Sequence, residues 1–282
     1  TLLFAPQAAS YQYLSAGCGN IDFSGGHVTF NVADNITADE LTAYELGVSR
    51  ATLYSDSSIT LNDVNDSSYG RGNGDNELFR DPNHNTAYCS YSYYLNSCAI
   101  AEADMAIGDE PWVTDDNFNS YTFGLRGRSL TGTAIHEVGH CVGMAHENRY
   151  YNMMGADFSH LTWVSSSDVY YGAGEDLSNG IIDLHGKRSS NDTYRDVGVS
   201  IMRYSYAGGA YSRHKKGILT DLSSGSELPG VDSFNGLIVY QVETGSPFVM
   251  QITLENNGEK DVETPSVGIY LSTNNIISIA DQ

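Results

Sequence analysis

The chain has 282 residues, enough for one large domain with a smaller module and for a core that needs neither disulfide nor metal merely to stay folded. Its 14 basic and 35 acidic residues leave a net charge of −21, which argues against nucleic acid and anionic membrane as partners. No apolar run approaches the roughly 20 residues of a membrane span, and none is expected.

The first residues, TLLFAPQAAS, carry no basic stretch and no long apolar core, so a signal peptide is expected to be absent or already removed. Residues 26–32, GHVTFNV, alternate in the manner of a strand. Thr37 and Glu40 then stand at capping-box spacing, which predicts a helix continuing through LTAYELGVSRATLY. Residues 62–76, NDVNDSSYGRGNGDN, read as a loop with tight turns. Its oxygen-bearing side chains offer a possible calcium site, although Ser68 stands where an EF-hand loop from Asp63 needs glycine. Residues 101–108, AEADMAIG, read as a strand, and Trp112 follows an acidic turn.

Ser129 or Thr131 can cap the next helix, whose Ile135, Val138 and Val142 recur at helical spacing. Residues 148–199 read as a long polar, Gly-rich insertion. Beyond residue 236 the stretches LIVYQVE, FVMQITLENNG and VGIYLSTNN are β-rich and separated by turn residues. These changes divide the chain at 1–236 and 237–282, the second part being too short for a full β-sandwich. Four cysteines without a CxxC pair suit two disulfides in an oxidising compartment, and hence secretion. Of the three pairings, Cys89–Cys98 with Cys18–Cys141 is favoured, because Cys89 and Cys98 flank a short polar stretch.

The helix that follows the Ser129 or Thr131 cap carries the chemistry. Three of the chain's eight histidines fall within eleven positions, in AIHEVGHCVGMAHE. Helical pitch sets His136 and His140 on one side, where both can close on a single metal ion. Glu137 can reach a metal-bound water without taking a coordination position, the arrangement of an HExxH zinc hydrolase. Gly143 can take a positive φ, end the helix and bring His146 back as a third ligand, leaving one position open. Glu137 is the feature that a structural zinc site, or a binding protein keeping the metal, has no use for. Cys141 points elsewhere on the helix and reads as packing or disulfide.

The full pattern, HExxHxxGxxHE, resembles the zinc signature of the metzincin metallopeptidases, and Glu147 after the third histidine is similar to their astacin branch. The resemblance implies an α+β catalytic domain: a mixed twisted sheet, an active-site helix and a cleft over zinc, followed by a short β-rich segment. It also implies a methionine turn beneath the metal. SIMRY at 200–204 matches the S-x-M-x-Y form and is favoured, with Met202 as the methionine; Asn152–Gly155 is the alternative. In astacin-like enzymes the tyrosine of that phrase ligates zinc at rest and stabilises the transition state, a role the resemblance carries to Tyr204. EADMAIG looks like the strand at the upper edge of such a cleft, so an extended peptide is expected along an edge strand near Met105.

The function implied is a secreted zinc endopeptidase, in which Glu137 assists attack of a zinc-bound water on a protein or peptide substrate. The alternative is the proteolytic subunit of a multi-subunit AB-type bacterial toxin. In that reading the tail, which is similar to the start of a CARDB-type adhesion module, docks on partner subunits.

Overall fold

The order strand, capped helix, strand over residues 27–66 commits the chain to a parallel pair, because a helical crossover returns the second strand in the direction of the first. A computed structural model shows this arrangement. It describes residues 11–114, 128–147, 153–155, 162–165, 168–189, 197–200, 202–204, 214–216, 218–234, 237–250 and 253–256. β1 (His27–Ala33) is followed by α1 (Ala38–Ala51) and β2 (Ser58–Asp66). β3 (Glu77–Arg80), β4 (Tyr88–Tyr93) and β5 (Ile100–Ile107) complete a five-stranded sheet of order β2-β1-β3-β5-β4. All its pairs are parallel except β4 with β5. The fold is thus α+β with a mixed sheet.

The capping box forms as read: the Glu40 N–H donates to Thr37 Oγ1, and the Thr37 N–H donates to Glu40 Oε2. β2 runs further than expected, so residues 62–66 are strand and the loop begins after Asp66. Tertiary pairing with β1 outweighs the poor strand propensity of Asn and Asp here.

Strand alternation gives the sheet two unlike faces. Phe30, Leu78 and Met105 point into the main core with Tyr44 of α1 and with Ile135 and Val138 of α2 (Leu130–Cys141). Burying each such side chain contributes ~1.5–3 kcal/mol. α1 and α2 cross closely at Gly47, where a Cβ would lie 2.6 Å from that of Ala134. On the other face, register pairing lines up Asn62, Asn31, Glu77, Asp104 and Ser90 across all five strands.

Two expectations are corrected by this topology. β5, which carries Met105, is an inner strand, and the open edge on that side is β4. The disulfides are Cys18–Cys98 and Cys89–Cys141, with Cα separations of 5.5 and 5.8 Å. The residues between Cys89 and Cys98 are strand and turn rather than a loop. Cys89 is level with Met105 and Tyr93 with Ile100, which leaves Cys98 in the turn. Four strand residues separate Cys89 from that end, about 13 Å, beyond the reach of a disulfide.

The stretch at 148–199 is not a plain insertion. It holds a hairpin of Thr162–Ser165 with Asp168–Tyr171, and α3 (Gly174–His185), whose Leu177 and Ile181 enter the core. Later strands pair as Val197–Ser200 with Thr253–Asn256, Leu219–Asp221 with Phe248–Met250, and Gly230–Phe234 with Leu237–Tyr240. The expected division at residue 236 falls between the paired strands Gly230–Phe234 and Leu237–Tyr240. VGIYLSTNN lies outside the described residues. Among the described residues no helix is long and apolar enough to cross a membrane.

Candidate metal centre

The α2 helix begins at Ser129, whose Oγ accepts the Gly132 N–H at 3.1 Å, and it ends at Cys141. Almost all of it is buried against α1 and the sheet, so its polar side chains are held rather than solvated. The helix sets His136 and His140 one turn apart. Gly143, at φ 107°, then turns the chain back so that His146 meets them. A Cβ at Gly143 would fall 2.6 Å from the Ile21 carbonyl oxygen, so both conformation and space call for glycine.

The turn is braced from the N-terminal side. The Leu14 N–H donates to the Gly143 carbonyl at 2.7 Å, and Gln12–Tyr13 pairs antiparallel with Met144–Ala145. Tyr13 in turn donates to Asp183 of α3.

The three imidazoles converge through Nε2. The separations are 3.1 Å for His136–His140, 3.1 Å for His140–His146 and 3.2 Å for His136–His146. The His136–His140 contact is not a hydrogen bond, because both of those rings spend their proton elsewhere. His136 Nδ1 donates to the Met153 carbonyl at 2.7 Å and His140 Nδ1 to the Met144 carbonyl at 2.8 Å. Each therefore presents a bare Nε2 lone pair to the centre. Burial, then the neighbouring imidazoles, push His140 down to about 3, and burial lowers His146, so both stand neutral and ready to ligate. A tetrahedral metal with ~2.0–2.1 Å bonds to nitrogen would space its ligands about 3.3–3.4 Å apart, close to what is seen. The three residues fit a metal ion.

Burial grades from His136, which is buried, through His140 to His146, which is exposed, so the site opens on one side. Among the described residues this is the one grouping of three such side chains with ligand atoms all within 4.8 Å, and the acids of 62–76 form none.

Glu137 is 6% exposed, and burial pushes its carboxyl up to about 8, with the nearby backbone of Cys89 opposing the shift. Tyr44 lies close enough that the Glu137 charge adds to burial in keeping its phenol protonated. Glu147 is fully buried, and its N–H donates to the Met154 carbonyl at 3.0 Å. Its backbone thereby ties the turn that carries His146 to the Met153–Met154 turn.

Comparison with known proteins adds no relative: the chain matches no protein-family model and no curated protein sequence.

Of the two methionine candidates, the turn containing Met153 and Met154 lies against the helix. Both are buried, and a Cβ at Gly139 would clash with the Met154 sulfur. Met202 and Tyr204 form a short strand, Met202–Tyr204, paired with His214–Lys216. Their side chains lie outside the described residues. What the sequence did not reveal is the role of backbone: the carbonyls of Met144 and Met153. Such groups have no residue-type signature.

Proposed function

We propose that the chain is a secreted, metzincin-like zinc endopeptidase. The observation that carries the reading is the triangle of three Nε2 atoms with Glu137 beside it on the same helix. His136, His140 and His146 would hold the ion. Zinc held by three histidines supplies Lewis acidity, lowering the pKa of water and polarising a carbonyl.

The chain's own groups do the rest. Glu137 takes a proton at its carboxylate from the water that attacks the peptide carbonyl and returns it to the leaving nitrogen. A carboxyl raised toward neutrality by burial suits both transfers. A cation among the histidines would draw it back toward the ionised form. The Tyr204 hydroxyl donates to the oxyanion that develops, with Met202 in the same phrase. An extended substrate adds its backbone to the open edge of β4. Two disulfides suit an oxidising compartment.

The test is zinc content and casein hydrolysis for wild type beside Glu137→Ala. One zinc per chain in both, with hydrolysis confined to wild type, is expected. Full activity in the variant would end this reading. Tyr204→Phe is expected to fold, keep its zinc and lose turnover; an unchanged rate would move attention to the Met153–Met154 turn.

A second reading, the proteolytic subunit of an AB-type toxin, draws on the later strands. Val231, Phe248, Val249 and Met250 on these strands stand 37–58% exposed. Size-exclusion with light scattering separates the readings, since a strict monomer at high concentration counts against a docking tail.

A further inference from the structure

We propose that His185, the last residue of α3, is a positioning residue for the third ligand, His146; this rests on the metal-site part of the reading above. The turn that delivers His146 starts at Gly143, and a glycine by itself leaves the direction of the chain open. Three successive carbonyls of that turn are held. The Leu14 N–H donates to the carbonyl of Gly143 at 2.7 Å, and His140 Nδ1 donates to that of Met144 at 2.8 Å. The first of the three, that of Val142, accepts from His185 Nε2 at 2.9 Å. A carbonyl can only accept, so His185 carries a proton on Nε2. Val142 is the C-cap of α2, where a helix end leaves carbonyls without an intrahelical donor. Holding its carbonyl fixes the plane of the peptide that leads into Gly143.

Close packing brings the end of α3 to this turn. A Cβ at Gly180 would lie 2.2 Å from Met144 Cε, and one at Gly143 would lie 3.2 Å from Leu184 Cδ1. The His185 ring itself lies against Gly26, where a Cβ would fall 2.9 Å from Nδ1. Gly186, at φ 88°, ends the helix directly afterwards. His136 and His140 are set by α2, whereas His146 lies beyond the helix and is the most exposed of the three. Its place therefore depends on the turn. Of the three donors to that turn, His185 is the one whose removal spares the ligands. Leu14 gives a backbone amide, and His140 is itself a ligand.

The experiment compares His185→Leu, which removes the donor, with His185→Gln, whose side-chain amide restores an N–H. A third variant, Thr37→Ala, removes the α1 cap and touches none of these groups. Zinc affinity is read by competition with a chromophoric chelator, and ligand geometry from the visible spectrum of the cobalt(II)-loaded protein. His185→Leu is expected to bind zinc about tenfold more weakly than wild type, with an altered cobalt spectrum. His185→Gln is expected to recover most of that loss. Thr37→Ala is expected to lower the melting temperature and to change neither metal readout. Equal affinity in His185→Leu and wild type would overturn the proposal. So would a His185→Gln as weak as His185→Leu, which would assign the effect to the ring's packing and not to its donor. An equal loss in Thr37→Ala would overturn it too, by marking a general loss of rigidity. Should His185→Leu fail to fold, the nitrogen chemical shifts of the wild-type imidazoles decide. They are expected to show His185 protonated at Nε2, and a bare Nε2 there would overturn the proposal. Zinc bound without casein hydrolysis would defeat the peptidase reading and leave the affinities to decide about His185. No zinc bound by wild type would defeat the metal site and the proposal with it.

Discussion

Gly143 shows how much one position can govern. It carries a φ that L side chains rarely adopt, faces the Ile21 carbonyl at a distance no Cβ tolerates, and its own carbonyl receives the Leu14 N–H. Gly143→Ala is expected to destabilise the fold by about 1–3 kcal/mol through strain alone. Because the same turn delivers His146, zinc affinity should fall with it. Thermal denaturation with and without EDTA separates the two effects, since a purely structural loss would be equal in both. For wild type, removing the metal should itself lower the melting temperature. The bare Nε2 lone pairs of His136 and His140, 3.1 Å apart, then face each other with no cation between them.

At the scale of elements, α2 owes its position to its start as well as to its faces. Ser129→Ala removes the hydroxyl that accepts the Gly132 N–H and is expected to cost about 1 kcal/mol, readable as a shifted denaturant midpoint with an unchanged slope. The cap, the apolar stripe and the two histidines of this helix, with His146 after its turn, were all legible, because each is a side-chain property at fixed spacing. So were β1, β5 and the capping box of α1. The helix α3 was not: Leu177 and Ile181 supply a stripe, but Gly174 and Gly180 sit in the same stretch and look like loop residues. Gly180 is there because Met144 packs against it, a tertiary reason that no local pattern discloses. The disulfide pairing failed for a related cause. Spacing alone cannot say that Cys89 faces a helix fifty residues later, and only the register of β4 on β5 settles it.

At the scale of the whole molecule, the polar row across the sheet sets a pH dependence. Burial, then the charges of Glu102 and Glu77, push Asp104 up to about 7, and burial raises Glu77 as well. A carboxyl whose folded pKa lies above its unfolded value binds more protons in the native state. Its contribution is complete below the unfolded pKa, near 4, and is lost as pH rises through about 7. Asp104→Asn is therefore expected to melt higher than wild type at pH 8, with the difference closing toward pH 4. Melting curves at the two ends check it, and a larger gain at the acid end would reverse the assignment.

The brace between Gln12–Tyr13 and Met144–Ala145 also bears on how the chain acquires its metal. The contacts that brace the ligand turn draw together residues near 13, 136–154 and 183, so the short segment that carries the histidines does not hold its turn alone. Contacts so far apart in the chain close late in folding, after the entropy of the long loops between them has been overcome. A nascent chain thus carries three histidines close in sequence whose turn is not yet held. A metal bound there would be expected to hold tightly only once the early and late segments have met.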